Sequence, residues 1–416
     1  EQYLSDIWVE GVDSIIVTQP KFMEEVTVVF NETPLEDIKA YLKWHIIDAS
    51  AGYLNNDIVQ ANFDFFNKEL RGTTEMRPRW ERVLGNTNGA MGEALGKLYV
   101  DEAFPPEAKA AAEVMVDNVL AAMKTRIENL DWMSDTTKQQ ALKKLASTTV
   151  KIGYPDKWKD YSGLEVETSG ETYSYYGNIL NANEFRHKED VEKIGKPVDK
   201  TEWGMSPQTV NAYYNPLNNE IVFPAAILQP PFYDHLADPA VNYGGMGAVI
   251  GHEVSHGFDD QGSRFDADGN MVNWWTESDK AAFKERSQVL VDQYDAYEVL
   301  DSVYVQGELT LGENIGDIAG LSVAYDAMQL HYQNEEKPGP IDGFTQEQRF
   351  FLSWATIWRT KYRDQTLRTQ VLTDPHSPGM YRAIGPLTNL PTYYAAFDVT
   401  EGDAMWKPDS LRVKIW

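Results

Sequence analysis

Apolar positions recur every three to four residues over long stretches of the chain, as they do in helices with one buried face. The clearest of these stretches cover residues 106–130, 134–146 and 246–258. Two shorter runs, 210–214 and 220–223, have strand-like composition and are separated by a loop of turn-forming residues, which predicts a β-hairpin. The pattern therefore predicts a mainly α-helical protein with small strands.

The helix predicted over residues 246–258 carries His252 and His256, with Glu253 directly after the first histidine. Residues four apart share one helix face, so both imidazoles can reach a single metal ion about 2 Å away. Glu253 is rotated by about 100° around the helix, and it can therefore act on water instead of binding the metal. This pattern is typical of zinc peptidases, although a surface helix with two unrelated histidines would also produce it.

A second helix is predicted to begin near Thr310, and it carries Glu313 and Asp317 four residues apart on one face. A catalytic zinc takes three protein ligands, and Glu313 can supply the third while Asp317 orients a ligating imidazole. The alternative is a capping box, in which Thr310 and Glu313 only satisfy the backbone at the start of the helix.

Many motifs occur in the order found in the neprilysin family of zinc endopeptidases, which includes endothelin-converting enzyme and the bacterial oligopeptidase O type. They are VNAYY at 210–214, IVFPA at 221–225, ILQPPF at 227–232, NYGG at 242–245, GHE at 251–253, GFDD at 257–260, WWT at 274–276, GEN at 312–314, Asp374, HSPG at 376–379 and Trp416. The chain resembles this family densely from about residue 210 onward and more thinly before it.

The resemblance implies a role for each matching residue. It makes His252, His256 and Glu313 the ligands of one zinc ion per chain, Glu253 the general base, and Asp317 the residue that orients a ligand. It also implies substrate contacts: Asn211 and Ala212 with the peptide main chain, Arg382 with a carbonyl, and His376 with the developing oxyanion. The pocket for the residue after the cleaved bond would be lined by Ile227, Phe232, Val249 and Trp358.

The fold implied by the resemblance is a two-lobed zincin metallopeptidase. A thermolysin-like catalytic lobe with small β-hairpins or sheet near the active site would be covered by a helical lobe. We expect residues 1–50 to belong to the catalytic lobe, 51–175 to form a covering-lobe segment, and 176–416 to form the zinc catalytic domain. The expected activity is cleavage of oligopeptides on the amino side of large hydrophobic residues. Two alternatives are a catalytically inactive, zinc-stabilised binding module and a metal-dependent hydrolase of non-peptide substrates.

The composition of the chain argues against some classes of binding partner. The 64 acidic and 37 basic residues give a net charge of −27, which argues against nucleic acid, and no stretch is apolar enough for us to expect membrane contact. The chain has no cysteine, whereas animal members of the family are typically disulfide-rich, so we expect a bacterial enzyme. A cell-envelope or secreted location is favoured over the cytoplasm. Because Glu1 is not preceded by an initiator methionine, we also expect a missing N-terminal part as a possible partner.

Residues 266–277 imitate an EF-hand calcium loop, with Asp266 first and Glu277 twelfth. The sixth position is Met271, where such a loop requires glycine for its sharp turn. The sequence Asp268-Gly269 therefore indicates a tight hairpin turn rather than a calcium site.

Overall fold

The structure is a computed structural model that describes residues 2–170 and 173–416. The helices are α1 Gln2–Asp6, α2 Pro20–Glu32, α3 Leu35–Ser50, α4 Asn56–Asn62, α5 Arg79–Ala103, α6 Pro106–Asn129, α7 Asp135–Ala146, α8 Tyr175–Glu192, α9 Pro239–Asn242, α10 Ala248–His256, α11 Glu277–Asp295, α12 Leu311–Asn334, α13 Gln346–Ile357, α14 Asp364–Thr373, α15 Gly379–Ile384 and α16 Pro391–Phe397. The strands are β1 Thr149–Gly153, β2 Tyr213–Asn215, β3 Glu220–Pro224, β4 Glu298–Leu300 and β5 Val303–Tyr304. The prediction of a mainly helical protein with small strands is confirmed.

The chain divides into two compact units. The first comprises Glu1–Gly92 with Lys159–Asp199, and the second comprises Glu93–Trp158 with Lys200–Trp416. These units divide the chain at points other than the predicted lobe boundaries after residues 50 and 175. The assignment of segments to a catalytic and a covering lobe stays a prediction.

Much of the first unit is exposed. Helix α2 has no buried residue, and in α3 only Ser50 is buried. Large apolar side chains such as Phe30, Trp44 and Ile46 are 57%, 62% and 61% exposed. None of the helices in the described residues is long and apolar enough to cross a lipid bilayer.

The second unit has a large apolar core, into which α6, α10, α12 and α13 contribute side chains. Its three-stranded sheet has the order β1-β3-β2, with β1 parallel and β2 antiparallel to β3. The predicted hairpin is therefore present as β2 and β3, although β2 begins at Tyr213 and not at Val210. All five residues of β3 are buried, which places the sheet against the core.

The segment that imitates an EF-hand forms the predicted turn. Phe265 and Met271 make an antiparallel β-bridge, and Gly269 between them has a φ of +83°. This left-handed conformation is readily accessible to glycine and accounts for its position in the turn.

Helices α10 and α12 pack closely against each other, and both carry glycines at the contact. A Cβ atom on Gly251 would lie 2.8 Å from the carbonyl oxygen of Gly320, and one on Gly320 would lie 2.5 Å from that of Ala248. A Cβ atom on Gly316 would lie 2.6 Å from Nδ1 of His252. Any larger residue would push the helices apart, so the glycines bring the histidine helix within reach of the acidic residues of α12.

Candidate metal centre and active site

His252 and His256 lie one turn apart on α10 and face the same side. Their ring centroids are 4.5 Å apart, and the ring planes are nearly perpendicular. His252 is 6% exposed, and apolar residues of α10 such as Ile250 and Val254 anchor the helix in the core. The helix is preceded by a π-helical turn over Tyr243–Gly247, so the regular α-helix begins slightly later than predicted.

Helix α12 brings two carboxylates to these imidazoles. Glu313 Oε2 lies 3.2 Å from His252 Nε2, and Glu313 Oε1 lies 3.7 Å from His256 Nε2. Asp317 Oδ1 lies 3.0 Å from His252 Nδ1, on the other side of the same ring. His252 is thus held between two acidic side chains that are one helical turn apart.

The capping-box interpretation of Glu313 is wrong. Thr310 precedes α12, but its side chain accepts no capping hydrogen bond from a backbone N–H of the helix. Its hydroxyl instead donates to the carbonyl oxygen of Gln306 and accepts from the side-chain NH₂ group of Asn314. The Glu313 carboxylate is directed toward the histidines and is therefore available to a metal ion.

The second imidazole, that of His256, has its own carboxylate partner in Asp259, for which no role is predicted from the sequence. Asp259 Oδ2 lies 2.7 Å from His256 Nδ1, and Asp259 Oδ1 accepts the backbone N–H groups of Gln261 and Gly262 at 2.8 and 2.7 Å. Both histidines therefore have Nδ1 next to a carboxylate, which leaves Nε2 available for coordination. An acidic residue three positions after a ligating histidine was the available signal.

The donor set fits zinc. His252, His256 and Glu313 each offer one atom to a single point, with these atoms within 4.8 Å of one another. Glu313 Oε2 is buried and has no hydrogen-bond partner, although two imidazole nitrogens lie nearby. Two imidazoles and one carboxylate are a known ligand set for catalytic zinc, in which one position stays open.

The electrostatic field at this point favours positive charge. Burial by itself would lower the pKa of His252, but the carboxylates of Asp317 and Glu313 raise it to about 10. The pKa of Glu313 is held well below its ordinary value by the same histidine, although burial opposes this. The negative charge that stabilises an imidazolium also stabilises a bound cation.

Glu253 contributes no atom to this donor set. It is 7% exposed and lines the cavity in front of the histidines. Burial raises its pKa above the ordinary value, and the neighbouring histidines oppose this rise. A carboxylate next to the metal ligands and free of the metal is what a general base requires.

Arg382, on α15, contacts both acidic side chains of α12 that face His252. Its Nε and Nη2 atoms donate to the two oxygens of Asp317 at 2.8 and 2.6 Å, and Nη2 lies 3.6 Å from Glu313 Oε2. Its guanidinium carbon lies 4.1 Å from the ring centroid of Trp358. Although burial opposes the effect, Arg382 holds the pKa of Asp317 below its ordinary value. Asp317 therefore stays ionised beside His252.

His376 lies on the more open side of the cavity, with its side chain 48% exposed. Its Nε2 is 3.3 Å from Glu313 Oε2, and its Nδ1 is 2.7 Å from Asp374 Oδ1. The next residue, Ser377, donates a 2.8 Å hydrogen bond to the Asn314 side chain on α12. Asp374 was matched as part of a motif but given no role, and the two-residue spacing to His376 was its only signal.

A cavity of about 590 Å³ opens in front of the metal ligands. Every residue predicted for catalysis, metal binding or substrate contact lines this one cavity. The other lining residues are Met205, Val210, Tyr213, Tyr214, Trp354, Tyr362, Gln370, Asp374 and Ser377. Ile227 is buried, whereas Phe232, Val249 and Trp358 are partly exposed. The sequence-predicted pocket residues are thus close to the donor set in space.

The segment expected to contact a peptide main chain differs in detail from the prediction. Asn211 and Ala212 precede β2 and do not belong to it. Asn211 is exposed, and its side-chain oxygen accepts the backbone N–H of Ala212 at 2.9 Å. Strand β2 itself is at the edge of the three-stranded sheet, next to the cavity.

Comparison with known proteins identifies the family. Two family models described as Peptidase family M13 match the chain, one over residues 211–413 and an N-terminal one over residues 1–155. The chain is 39% identical to an endothelin-converting enzyme homolog of Locusta migratoria over 94% of its own length and 55% of the relative. It is 36% identical to a neutral endopeptidase of Lactobacillus helveticus over 100% of its own length and 62% of the relative.

Solved structures give the same result. The Mycobacterium tuberculosis zinc metalloprotease Zmp1, in complex with an inhibitor, superposes with a TM-score of 0.90 at 45% identity, over 97% of this chain and 61% of that one. PepO from Lactobacillus rhamnosis superposes with a TM-score of 0.81 at 35% identity, over 89% and 56%. This chain spans less than two thirds of the length of these relatives. The resemblance inferred from the motifs is thus confirmed, and the chain belongs to peptidase family M13, the neprilysin family.

Proposed function

We propose that the protein is a zinc-dependent endopeptidase that hydrolyses oligopeptides. The observation that carries this proposal is the position of Glu253, a buried carboxylate next to three metal-ligand side chains that is not part of the donor set. A purely structural zinc site has four protein ligands and needs no such base. An inactive, zinc-stabilised module is therefore the less favoured alternative.

Each role follows from a named side chain. When held by His252, His256 and Glu313, zinc supplies Lewis acidity that lowers the pKa of water toward about 7 and polarises a carbonyl oxygen. Glu253 takes a proton from the attacking water and returns it to the leaving amine. His376, oriented by Asp374, donates a hydrogen bond to the oxygen on which negative charge develops.

The substrate is an extended peptide in the cavity next to β2. Asn211 and Ala212 contact its main chain, and Arg382, which already binds Asp317, has a further N–H group for a substrate carbonyl. Ile227, Phe232, Val249 and Trp358 form the pocket for the residue after the cleaved bond. Their apolar surfaces favour cleavage on the amino side of Phe, Leu or Ile, because a buried methylene contributes about 0.8 kcal/mol.

The test is a digest of a mixture of short peptides, with the products identified by mass spectrometry. We expect internal cleavage before large apolar residues, its loss when a chelator removes zinc, and its return when zinc is added back. Stepwise trimming from either end would contradict the endopeptidase assignment, and equal cleavage before charged and apolar residues would contradict the pocket.

The matched control is Glu253→Gln, which preserves shape and removes the base. It should bind zinc at the stoichiometry of the unmodified protein and turn over peptides about 100- to 10,000-fold more slowly. Zinc content is measured by atomic absorption and turnover with a quenched fluorescent peptide. A variant that loses its zinc would show that Glu253 is a ligand and not the base.

A further inference from the structure

Lys144 is the most deeply buried cation of the second unit for which the peptidase chemistry gives no role. It lies near the end of α7 and is 1% exposed. Its Nζ atom donates to the carbonyl oxygens of Gly257, Gly262 and Phe265 at 2.7, 2.8 and 2.8 Å. An ammonium group has three protons, so its donors are fully used on these three acceptors.

The three acceptors belong to one short segment, residues 257–265, which begins directly after the metal ligand His256. This segment contains Asp259, whose carboxylate lies 2.7 Å from His256 Nδ1. The segment folds back tightly on the end of α10: a Cβ atom on Gly262 would lie 1.7 Å from the carbonyl oxygen of His256. The carbonyl oxygens of Gly257, Gly262 and Phe265 all point at Lys144 Nζ. Without a cation between them, the three carbonyl dipoles would repel each other.

A lysine with no role would be unfavourable in the surroundings of Lys144, because its charge is removed from solvent. The rings of Tyr214, Phe258 and Trp274 lie 5.7, 5.8 and 5.9 Å from Nζ, so the charge is enclosed by aromatic faces and carbonyl oxygens. Burial lowers the pKa of Lys144 to about 8, and Asp259 and Asp266 oppose this shift. At neutral pH the group is still mostly charged and can make all three hydrogen bonds.

We propose that Lys144 is a positioning residue for the metal centre: by binding the three carbonyls of residues 257–265, it fixes Asp259 against His256 and so holds this imidazole in its ligating orientation. Lys144 touches neither metal nor substrate and acts through Asp259. The inference rests on the proposed function in one respect only, that His256 is a zinc ligand.

The experiment compares zinc binding in Lys144→Met and Lys407→Met. Methionine fills the space of the lysine stem but cannot donate. Lys407 is a matched control, since burial also lowers its pKa to about 8 and its Nζ donates to the side chain of Gln293, outside residues 257–265. Zinc affinity is measured by competition with a chromophoric chelator, and ligand geometry by the visible absorption spectrum of the cobalt-substituted protein.

Lys144→Met should bind zinc about 10- to 100-fold more weakly, as is typical for loss of a partner that orients a ligand, and its cobalt spectrum should change. Lys407→Met should unfold at a lower temperature, with a zinc affinity within about twofold of the unmodified protein, because distant sites act independently. An unchanged zinc affinity and cobalt spectrum in Lys144→Met would overturn the proposal.

A double-mutant cycle with Asp259→Ala tests whether Lys144 acts through Asp259. If it does, Lys144→Met should lower zinc affinity much less in the Asp259→Ala background than alone. Effects that simply multiply would overturn the proposal.

Because loss of the buried ammonium can prevent folding, Lys144→Arg provides a second variant. It keeps the charge, but its planar donors cannot meet three carbonyls that converge on one point. We expect a folded protein with weakened zinc binding, and affinity equal to that of the unmodified protein would contradict the proposal. These readouts need no peptidase activity: an unmodified protein that binds zinc but cleaves no peptide would refute the proposed function and leave the role of Lys144 to be decided by zinc affinity.

Discussion

The candidate metal ligands and His376 line the same cavity, but their side chains are held in place in different ways. His252 is 6% exposed. Its partner Asp317 is buried, and both of its carboxylate oxygens accept hydrogen bonds from Arg382. The side chain of His376 is 48% exposed and that of its partner Asp374 is 42% exposed. The first arrangement is a buried network of charges. In the second, an exposed imidazole contacts an exposed carboxylate and reaches the buried network only through the 3.3 Å approach of His376 Nε2 to Glu313 Oε2.

This difference indicates that the buried network and the His376–Asp374 pair have different roles. Buried charges are costly unless each is paired, so a network such as Glu313, His252, Asp317 and Arg382 keeps its geometry or loses stability as a whole. A solvent-exposed pair can change orientation when substrate arrives, and it contributes little to folding. We therefore expect changes in the buried network to alter metal occupancy and stability, and changes at His376 to alter turnover alone.

The largest effect is expected for Glu313→Ala, which removes a proposed zinc ligand from the buried network. Zinc should no longer copurify, and peptide cleavage should fall to the background level, because two imidazoles alone do not complete a catalytic zinc site. Zinc content and turnover of a quenched peptide provide the measurement. Tight zinc binding with only a lower melting temperature would mean that Glu313 has a structural role.

The next largest effect is expected for His376→Ala on the exposed side. Turnover should fall about 100- to 1,000-fold, the usual cost of removing one donor to a developing oxyanion. Zinc content and melting temperature should stay close to those of the unmodified protein. Loss of zinc in this variant would contradict the expectation that His376 affects turnover and not metal binding.

A paired comparison of Asp317→Ala and Asp374→Ala sharpens the contrast, since each removes the carboxylate partner of one histidine. Asp317→Ala should weaken zinc binding about 10- to 100-fold. It should also lower the free energy of unfolding by about 3–5 kcal/mol, because the buried Arg382 loses both of its carboxylate hydrogen bonds and keeps only the 3.6 Å contact with Glu313 Oε2. Asp374→Ala should retain zinc and change stability by less than about 1 kcal/mol. Equal losses of stability in the two variants would contradict the comparison.

The smallest effect is expected for Trp358→Ala, which changes one wall of the apolar pocket. The preference for Phe over Ala after the cleaved bond should be at least about tenfold in the unmodified protein and should flatten in the variant. The ratio of kcat/KM values for two peptides that differ only at that residue is the measurement. A variant that cleaves both peptides more slowly by the same factor would place Trp358 outside the pocket.

The grouping of the candidate metal ligands could be predicted because their spacing follows from helix geometry. The four-residue intervals from His252 to His256 and from Glu313 to Asp317 each put two side chains on one face of a helix. Which helix packs against which could be inferred only from the family resemblance. The glycines at the α10–α12 contact have no periodicity of their own, and their role becomes visible only when the two helices are brought together.

Other features escaped prediction for related reasons. Strand β1 pairs in parallel with β3, and residues 154–219 separate the two strands, so no local pattern joins them. Asn211 and Ala212 have strand-like neighbours, but the side chain of Asn211 binds the next backbone N–H and the strand begins only at Tyr213. Lys144 looks like an ordinary charged residue at the end of a helix, and only its three carbonyl partners distinguish it.

The glycine contact between α10 and α12 also bears on which ion the protein can select. The gap between the helices sets the distance from the two imidazoles to Glu313, and Gly316 keeps that gap at the width of one histidine ring. Zinc bonds to nitrogen and oxygen are about 2.0–2.2 Å long, whereas calcium requires about 2.3–2.6 Å and more oxygen ligands. A backbone spacing fixed by the absence of a side chain thus helps to set the ligand distances that suit zinc, although these glycines would not contact the ion.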